Sequence, residues 1–102
     1  MDNIAKQTFY IDVIDDRVKL SPNSVWQSDT YKERTSALKA GRRLAQQLGR
    51  SDISTLIDKG WYLNPSWNKS SVGVKHHLHV YLIKLTIYTD KTYSRLVEEV
   101  IK

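Results

Sequence analysis

Residues 74–89 form the stretch of this chain that most constrains its fold. They contain no glycine or proline and are rich in β-branched and aromatic side chains, which favour β structure. Within residues 78–87, apolar side chains occupy both alternating faces, as expected of a central strand or of one covered on both sides. The stretch is much longer than the about 5–6 residues of a typical strand, so we expect a bend, a bulge or two strands.

A second β signal lies near the N-terminus. Apolar and polar side chains alternate over residues 7–14, which predicts a half-buried strand. The acidic pair Asp15 and Asp16 suits a tight turn, after which residues 17–20 can return as a short second strand. Residues 21–24 then break the β pattern.

The most clearly defined helix is predicted to begin at Thr30. Thr30 and Glu33 have the spacing of a capping box, in which each side chain accepts a hydrogen bond from the other residue's backbone N–H. Apolar residues at helical spacing continue to Leu48, and Gly49 is well placed just past the end.

Two further helices are predicted. The first spans residues 51–60, with Ser51 as its N-cap and Gly60 at its end. The second is C-terminal, with Asp90 or Thr92 as its cap. It is indicated by apolar residues spaced as on one face of a helix, namely Tyr93, Leu96, Val97, Val100 and Ile101.

These elements predict an α+β fold with the order β(β)ααβββα, in one two-layer domain that covers residues 1–102. The sheet is expected to be antiparallel with roughly 3–5 strands. It would pack against one long basic amphipathic helix, a short second helix and a C-terminal helix.

Composition excludes several classes of function. The chain has no cysteine, so it has no disulfide framework and no thiol nucleophile, and we expect a cytoplasmic location. The longest purely apolar run, residues 80–83, is too short to cross a bilayer, so no membrane association is expected. No nucleotide-binding loop, nucleophile elbow or HExxH motif occurs, and we predict no cofactor and no metal site.

The net charge of +5 is concentrated in one segment. Residues 30–50 carry six basic side chains and one acidic side chain, and the charges of the remaining residues cancel. At 100° per residue the basic residues gather on the side of the helix opposite its apolar residues. The predicted cationic face comprises Lys32, Lys39, Arg42, Arg43 and Arg50, with Arg34, Lys69 and Lys75 as extensions.

Two functions suit such a face. Cations spaced along a helix can neutralise phosphates, which indicates a nucleic-acid-associated binding domain. The same face could dock on an acidic protein, as in a regulator or inhibitor of the kind that phages and plasmids encode. A solvated surface helix also needs a polar outer face, so the charge alone does not choose between a nucleic acid and a protein partner.

Three histidines carry the sharpest chemical signal. His76, His77 and His79 lie close together, and on a strand His77 and His79 point to the same face. Paired imidazoles can act as base and acid without a metal, so a small ribonuclease that uses His77 and His79 is the third hypothesis. The leading hypothesis, a nucleic-acid-binding domain, includes no catalytic residue. The alternative is a polar strand end beside Lys75.

Aromatic residues cluster at Trp61, Tyr62 and Trp67. Trp61 and Trp67 could anchor a protein interface or stack on unpaired bases, but three tryptophans in a chain of this length are expected mostly to fill the core. The C-terminal helix or an exposed sheet edge could also support a homodimer.

Overall fold

A computed structural model of the chain describes residues 3–17, 24–50, 62–63 and 77–102. These residues form five strands and one helix, so the fold is α+β. The strands and the helix are β1 (Ile4–Asp15), β2 (Ser24–Gln27), α1 (Arg34–Arg50), β3 (Tyr62–Leu63), β4 (Leu78–Tyr88) and β5 (Tyr93–Val100).

The strands form one sheet in the order β3-β2-β1-β4-β5, and every neighbouring pair is antiparallel. β1 and β4 make the longest pairing, which runs from Ile4 opposite Tyr88 to Asp15 opposite Leu78. β4 is therefore hydrogen-bonded on both edges, as the apolar character of both its faces predicts. It is a single strand, and the register shift at Leu82 and Ile83 in its pairing with β5 comes from an extra residue of β5 rather than from a bulge in β4 itself.

Helix α1 packs across one face of the sheet. Ala37, Leu44 and Leu48 recur at helical spacing and are buried against Ile11 of β1 and Val80 of β4, among other apolar residues. Burying one apolar side of the helix leaves its charged side outward. The core thus fixes which face α1 presents.

Gly41 lies where α1 comes closest to the sheet. A Cβ atom at this position would lie 2.7 Å from Ile11 Cδ1 and would also overlap Ile101 Cδ1. The missing side chain lets the helix backbone approach β1, which offsets the low helix propensity of glycine.

Helix α1 begins later than its capping box predicts. Thr30 is not its cap, because Tyr31 forms a β-bridge with Phe9, with Tyr31 N donating to Phe9 O at 2.6 Å. This bridge holds Tyr31 in an extended conformation. The first helical turn closes instead with Ala37 N donating to Glu33 O at 3.2 Å, and the helix ends at Arg50, two residues after the predicted end at Leu48.

The predicted C-terminal helix is wrong, since Tyr93–Val100 is strand β5. The pairing of β5 with β4 skips a residue between Val97 and Glu99, and this bulge interrupts the alternation of period two. The resulting spacing of apolar residues resembles helical spacing. Asp90 and Thr92 do not cap a helix but close the β4–β5 turn, in which Asp90 Oδ1 accepts from Thr92 N at 3.0 Å.

The region between β1 and α1 also differs from the prediction. β2 starts at Ser24, where the sequence indicated a break, and its Val25 and Trp26 are buried in the core. The short strand predicted over residues 17–20 lies outside the described residues except for Arg17, which is in a turn. The helix predicted over residues 51–60 also lies outside them.

Candidate functional site

The outer face of α1 carries an exposed group of cations. Lys39, Arg42 and Arg43 are exposed and follow one another at i, i+3 and i+4, so they share one side of the helix. They line a shallow groove of about 510 Å³ together with Thr35, Leu38 and Gln46. We call Lys39, Arg42 and Arg43 the cationic face.

One acidic residue meets the edge of this face. Glu99 of β5 accepts from Arg34 Nη2 at 3.2 Å, and its other carboxylate oxygen lies 3.8 Å from Arg42 Nη2. Within the described part of the chain, neither Lys39 nor Arg43 has an ion pair with a carboxylate. Arg42 is thus partly neutralised, whereas Lys39 and Arg43 keep their charge available.

The other predicted cations are not all placed on this face. Lys32 is exposed but precedes α1, because the helix starts at Arg34 rather than at the capping box. Arg50 ends the helix, and its side chain is outside the described part of the structure. Lys69, Lys75, Trp61, Trp67 and His76 also lie outside the described residues, and Tyr62 is described only as backbone of β3.

A second candidate site joins two histidines through one carboxylate. Asp16 Oδ1 lies 2.8 Å from His77 Nδ1, and Asp16 Oδ2 lies 2.9 Å from His79 Nε2. Asp16 is exposed and both imidazoles are partly exposed. We call Asp16, His77 and His79 the histidine–aspartate cluster.

The antiparallel pairing of β1 and β4 explains how this cluster forms. Asp15 is opposite Leu78, so the next residue along β1 comes beside the residue that precedes β4. Asp16 N donates to His77 O at 2.8 Å, which extends the ladder by one bond. His77 and His79 then project on one side and reach the same carboxylate.

Hydrogen bonds from His79 and His77 lower the pKa of the Asp16 carboxyl below its ordinary value. The carboxylate therefore stays ionised while it orients both rings.

A guanidinium lies in the same turn as the cluster. Arg17 is bound to the buried carboxylate of Asp15 through Nε at 3.0 Å and Nη2 at 2.7 Å. The hydrogen bond to Asp15 and the charges of Asp15 and Asp16 raise the pKa of Arg17 above its ordinary value. A fixed cation thus accompanies the two imidazoles.

Sequence reasoning missed Asp16 and Arg17 as partners of the histidines. The acidic turn after β1 and the apolar pattern of β4 were both visible in the sequence. They predict this contact only if β1 and β4 are assumed to be antiparallel neighbours in the sheet.

A third polar cluster lies on the sheet face opposite α1. Asp12 is only 3% exposed, and its carboxylate accepts hydrogen bonds from Ser24 Oγ and from Arg95 Nη2. Burial raises the pKa of Asp12, and the bonds from Ser24 and Arg95 act in the opposite direction. A cavity of about 450 Å³ adjoins this cluster and has an otherwise mainly apolar lining that includes Ile83 and Val97.

Strand β5 carries four of the five large hydrophobic residues that are exposed among the described residues. Tyr93 is 68% exposed and Val100 is 62% exposed, and Leu96 and Val97 are also exposed. β5 is at one edge of the sheet, so both its side chains and its outer backbone edge are accessible within the described structure.

Neither a metal centre nor a membrane span is found in the part of the chain that the structure describes. No group of three or more histidine, aspartate or glutamate side chains there is arranged to hold a metal ion. The one described helix is not long and apolar enough to cross a bilayer. Comparison with protein-family models, with curated proteins and with solved structures gave no match to this chain.

Proposed function

We propose that the chain binds the phosphate backbone of nucleic acid through the cationic face of α1. The observation that carries the proposal is the alignment of Lys39, Arg42 and Arg43 along one exposed groove, where among the described residues only Arg42 has an acidic neighbour. Residues 30–50 hold a charge of +5 while the rest of the chain is neutral, so the field of the molecule is strongest near this helix.

The spacing of the cations suits phosphates. Successive turns of a helix are about 5.4 Å apart, which lies close to the spacing of phosphates along an extended strand. A groove gives the backbone a path, and Thr35 and Gln46 add neutral donors along it. Contacts of this kind recognise the backbone and carry no base sequence.

Fluorescence anisotropy tests the proposal directly. Labelled single-stranded RNA, single-stranded DNA and duplex DNA are titrated with the protein at several salt concentrations. We expect micromolar or tighter binding whose logarithm falls linearly with the logarithm of salt, because each phosphate contact releases a counterion.

A folded protein that binds none of the three probes even at low salt contradicts the proposal. That result would favour an acidic protein as the partner of the same face, which is the main rival function. Exposed cations suit either partner. Binding through phosphates is recognised by a salt slope that is the same for probes of different base sequence.

A further inference from the structure

In the histidine–aspartate cluster, one ring nitrogen of each imidazole is hydrogen-bonded to Asp16 and the other is not. An ionised carboxylate only accepts hydrogen bonds, so His77 Nδ1 and His79 Nε2 each carry a proton toward Asp16. His77 Nε2 and His79 Nδ1 remain available for a substrate, and both rings are accessible from solvent. One carboxylate therefore fixes the tautomer and orientation of both rings.

Two imidazoles that share one negative charge are suited to opposite roles. Imidazole is the side chain that changes its charge between about pH 5 and 8. A neutral ring offers a lone pair and can remove a proton, whereas a protonated ring offers a proton to a leaving group. In the singly protonated state, Asp16, His77 and His79 hold one base and one acid.

Arg17 adds the remaining component of a phosphoryl-transfer site. Its Nε and Nη2 donate to Asp15, which leaves further guanidinium N–H groups in the same turn as the cluster. A guanidinium held in place by a buried carboxylate can stabilise negative charge that develops on phosphate oxygens.

From this arrangement we propose that Asp16, His77 and His79 form an active site that cleaves RNA by transphosphorylation. The neutral imidazole takes the proton of a ribose 2′-hydroxyl, and the 2′-oxygen forms a bond to the adjacent phosphorus. The phosphorus–5′-oxygen bond breaks, and the protonated imidazole gives its proton to the 5′-oxygen. The products are a 2′,3′-cyclic phosphate and a 5′-hydroxyl, and no further reactant is needed.

The proposal rests on the nucleic-acid binding proposed above and specifies RNA as the substrate. Leu78 and Val80 are buried together with residues of α1, so His77 and His79, which alternate with them, lie on the opposite face of the sheet. Only a strand that extends beyond the cationic face reaches the cluster. The nucleophile lies within the substrate beside the phosphate that it attacks, which gives the reaction the advantage of proximity. DNA lacks the 2′-hydroxyl, so the cluster cannot cleave it by this route. His77 and His79 are the catalytic residues, and Asp16 is a positioning residue.

The test measures cleavage of an end-labelled RNA between pH 5 and 8 by wild-type protein, His77→Ala, His79→Ala and Asp16→Asn, all purified in parallel. We expect each histidine substitution to lower the cleavage rate by at least about 100-fold. Asp16→Asn should slow cleavage less and change the shape of the pH–rate profile, because the amide cannot hold the same tautomer in both rings. Circular dichroism checks that each variant is folded.

A modified leaving group separates a chemical role from a structural one. In RNA whose scissile 5′-oxygen is replaced by sulfur, the leaving group departs without a proton. We expect this substrate to restore cleavage in the variant that lacks the acid and to leave the variant that lacks the base inactive. Restoration in neither variant, or in both, would contradict the assigned roles.

Binding is followed separately with 2′-O-methyl RNA, which has no nucleophile and cannot be cleaved by this route. Wild-type protein that binds this analogue but leaves RNA intact across the pH range overturns the inference and leaves the proposed binding function standing. Absence of binding to the analogue overturns the binding function itself. Cleavage that persists in both histidine variants overturns the assignment of the active site.

Discussion

Arg95 of β5 donates from Nη2 to Oδ2 of Asp12 on β1 at 2.9 Å, across the intervening strand β4. The carboxylate is buried, whereas the guanidinium is partly exposed. Arg95 also lies over the ring of Tyr10, with its Cζ 5.7 Å from the ring centroid. One side chain on the edge strand therefore compensates a buried charge on an interior strand.

Removing Arg95 should destabilise the protein most at neutral pH. Arg95→Ala leaves the buried Asp12 carboxylate short of a charged donor, and we expect a loss of roughly 1–3 kcal/mol in the free energy of unfolding at pH 7. Burial raises the pKa of Asp12 in the folded protein. Asp12 therefore contributes to the free energy of unfolding at pH values below its unfolded-state pKa, and this contribution is lost as pH rises through its folded-state pKa. The loss from Arg95→Ala should therefore shrink as pH falls toward 4.

Urea unfolding of wild type and Arg95→Ala at several pH values measures this effect. The same substitution in an Asp12→Asn background is the control, since that background has no carboxylate to titrate. A loss that does not vary with pH, or that is equal in both backgrounds, would show that Arg95 acts through packing alone.

Charge reversal on the cationic face should weaken nucleic-acid binding more than the same change of net charge made elsewhere on the protein. Lys39→Glu with Arg43→Glu lowers the net charge from +5 to +1, as does Lys6→Glu with Lys91→Glu at exposed positions on β1 and in the β4–β5 turn. We expect the first pair to reduce affinity by more than about 10-fold and the salt slope by roughly two contacts.

The second pair is the matched control. At physiological salt the screening length is about 8 Å, so charges that lie farther than this from the bound strand should have little influence on affinity. Equal losses from both pairs, measured by anisotropy, would indicate general electrostatic attraction rather than contact at α1.

Gly41 and Ile101 should be coupled energetically. Gly41→Ala gains up to about 1 kcal/mol of helix propensity but places a methyl group against Ile11 and Ile101. Ile101→Val removes the Cδ1 atom that this methyl group would meet. We expect Gly41→Ala to cost less, or to stabilise, in the Ile101→Val background.

A double-mutant cycle from thermal or urea unfolding gives the coupling energy between these two positions. Ile4→Val, at an exposed position distant from Gly41 in the sequence, serves as the control background. Additive effects of Gly41→Ala and Ile101→Val would mean that the helix shifts away from the sheet rather than displacing the Ile101 side chain.

The Asp16 carboxyl should titrate below the ordinary range for aspartate. Hydrogen bonds from both histidines favour the ionised form, so its stabilising contribution is present above the unfolded pKa and is lost as pH falls through the lower folded pKa. Carboxyl carbon shifts measured by NMR between pH 2 and 7 report this pKa.

His77→Ala with His79→Ala is expected to return the pKa of Asp16 toward its ordinary value. Single substitutions should give intermediate values, because each ring bonds to a different oxygen. An unchanged titration in the double variant would mean that the two hydrogen bonds are not maintained in solution.

The sequence predicts the core elements because local pattern and burial agree there. Residues 78–87 carry apolar side chains on both faces, and β4 is hydrogen-bonded on both edges. The apolar side of α1 is likewise set by residues such as Ala37 and Leu44, which recur at helical spacing and are buried in the core. The cations that α1 exposes follow from the same periodicity.

Local pattern fails where partners distant in sequence decide the structure. A bulge in β5 gives its apolar residues helical spacing, and only pairing with β4 shows that they form a strand. The start of α1 is set by the bridge between Tyr31 and Phe9 rather than by the capping box. Asp16 meets the histidines for the same kind of reason, because strand order is not encoded in either segment alone.

The central pairing of β1 with β4 also has a consequence for synthesis on the ribosome. Asp15 is paired with Leu78 and Ile4 with Tyr88, so the pairing of β1 with β4 cannot begin before residue 78 has been made or be completed before residue 88. Such non-local contacts slow folding, because the chain must close a long loop before the contacts repay the entropy. The nascent chain should therefore leave the backbone edge of β1 that faces β4 unpaired, and its apolar side chains exposed, until β4 emerges. We expect it to depend more on chaperones than a helical protein of equal length.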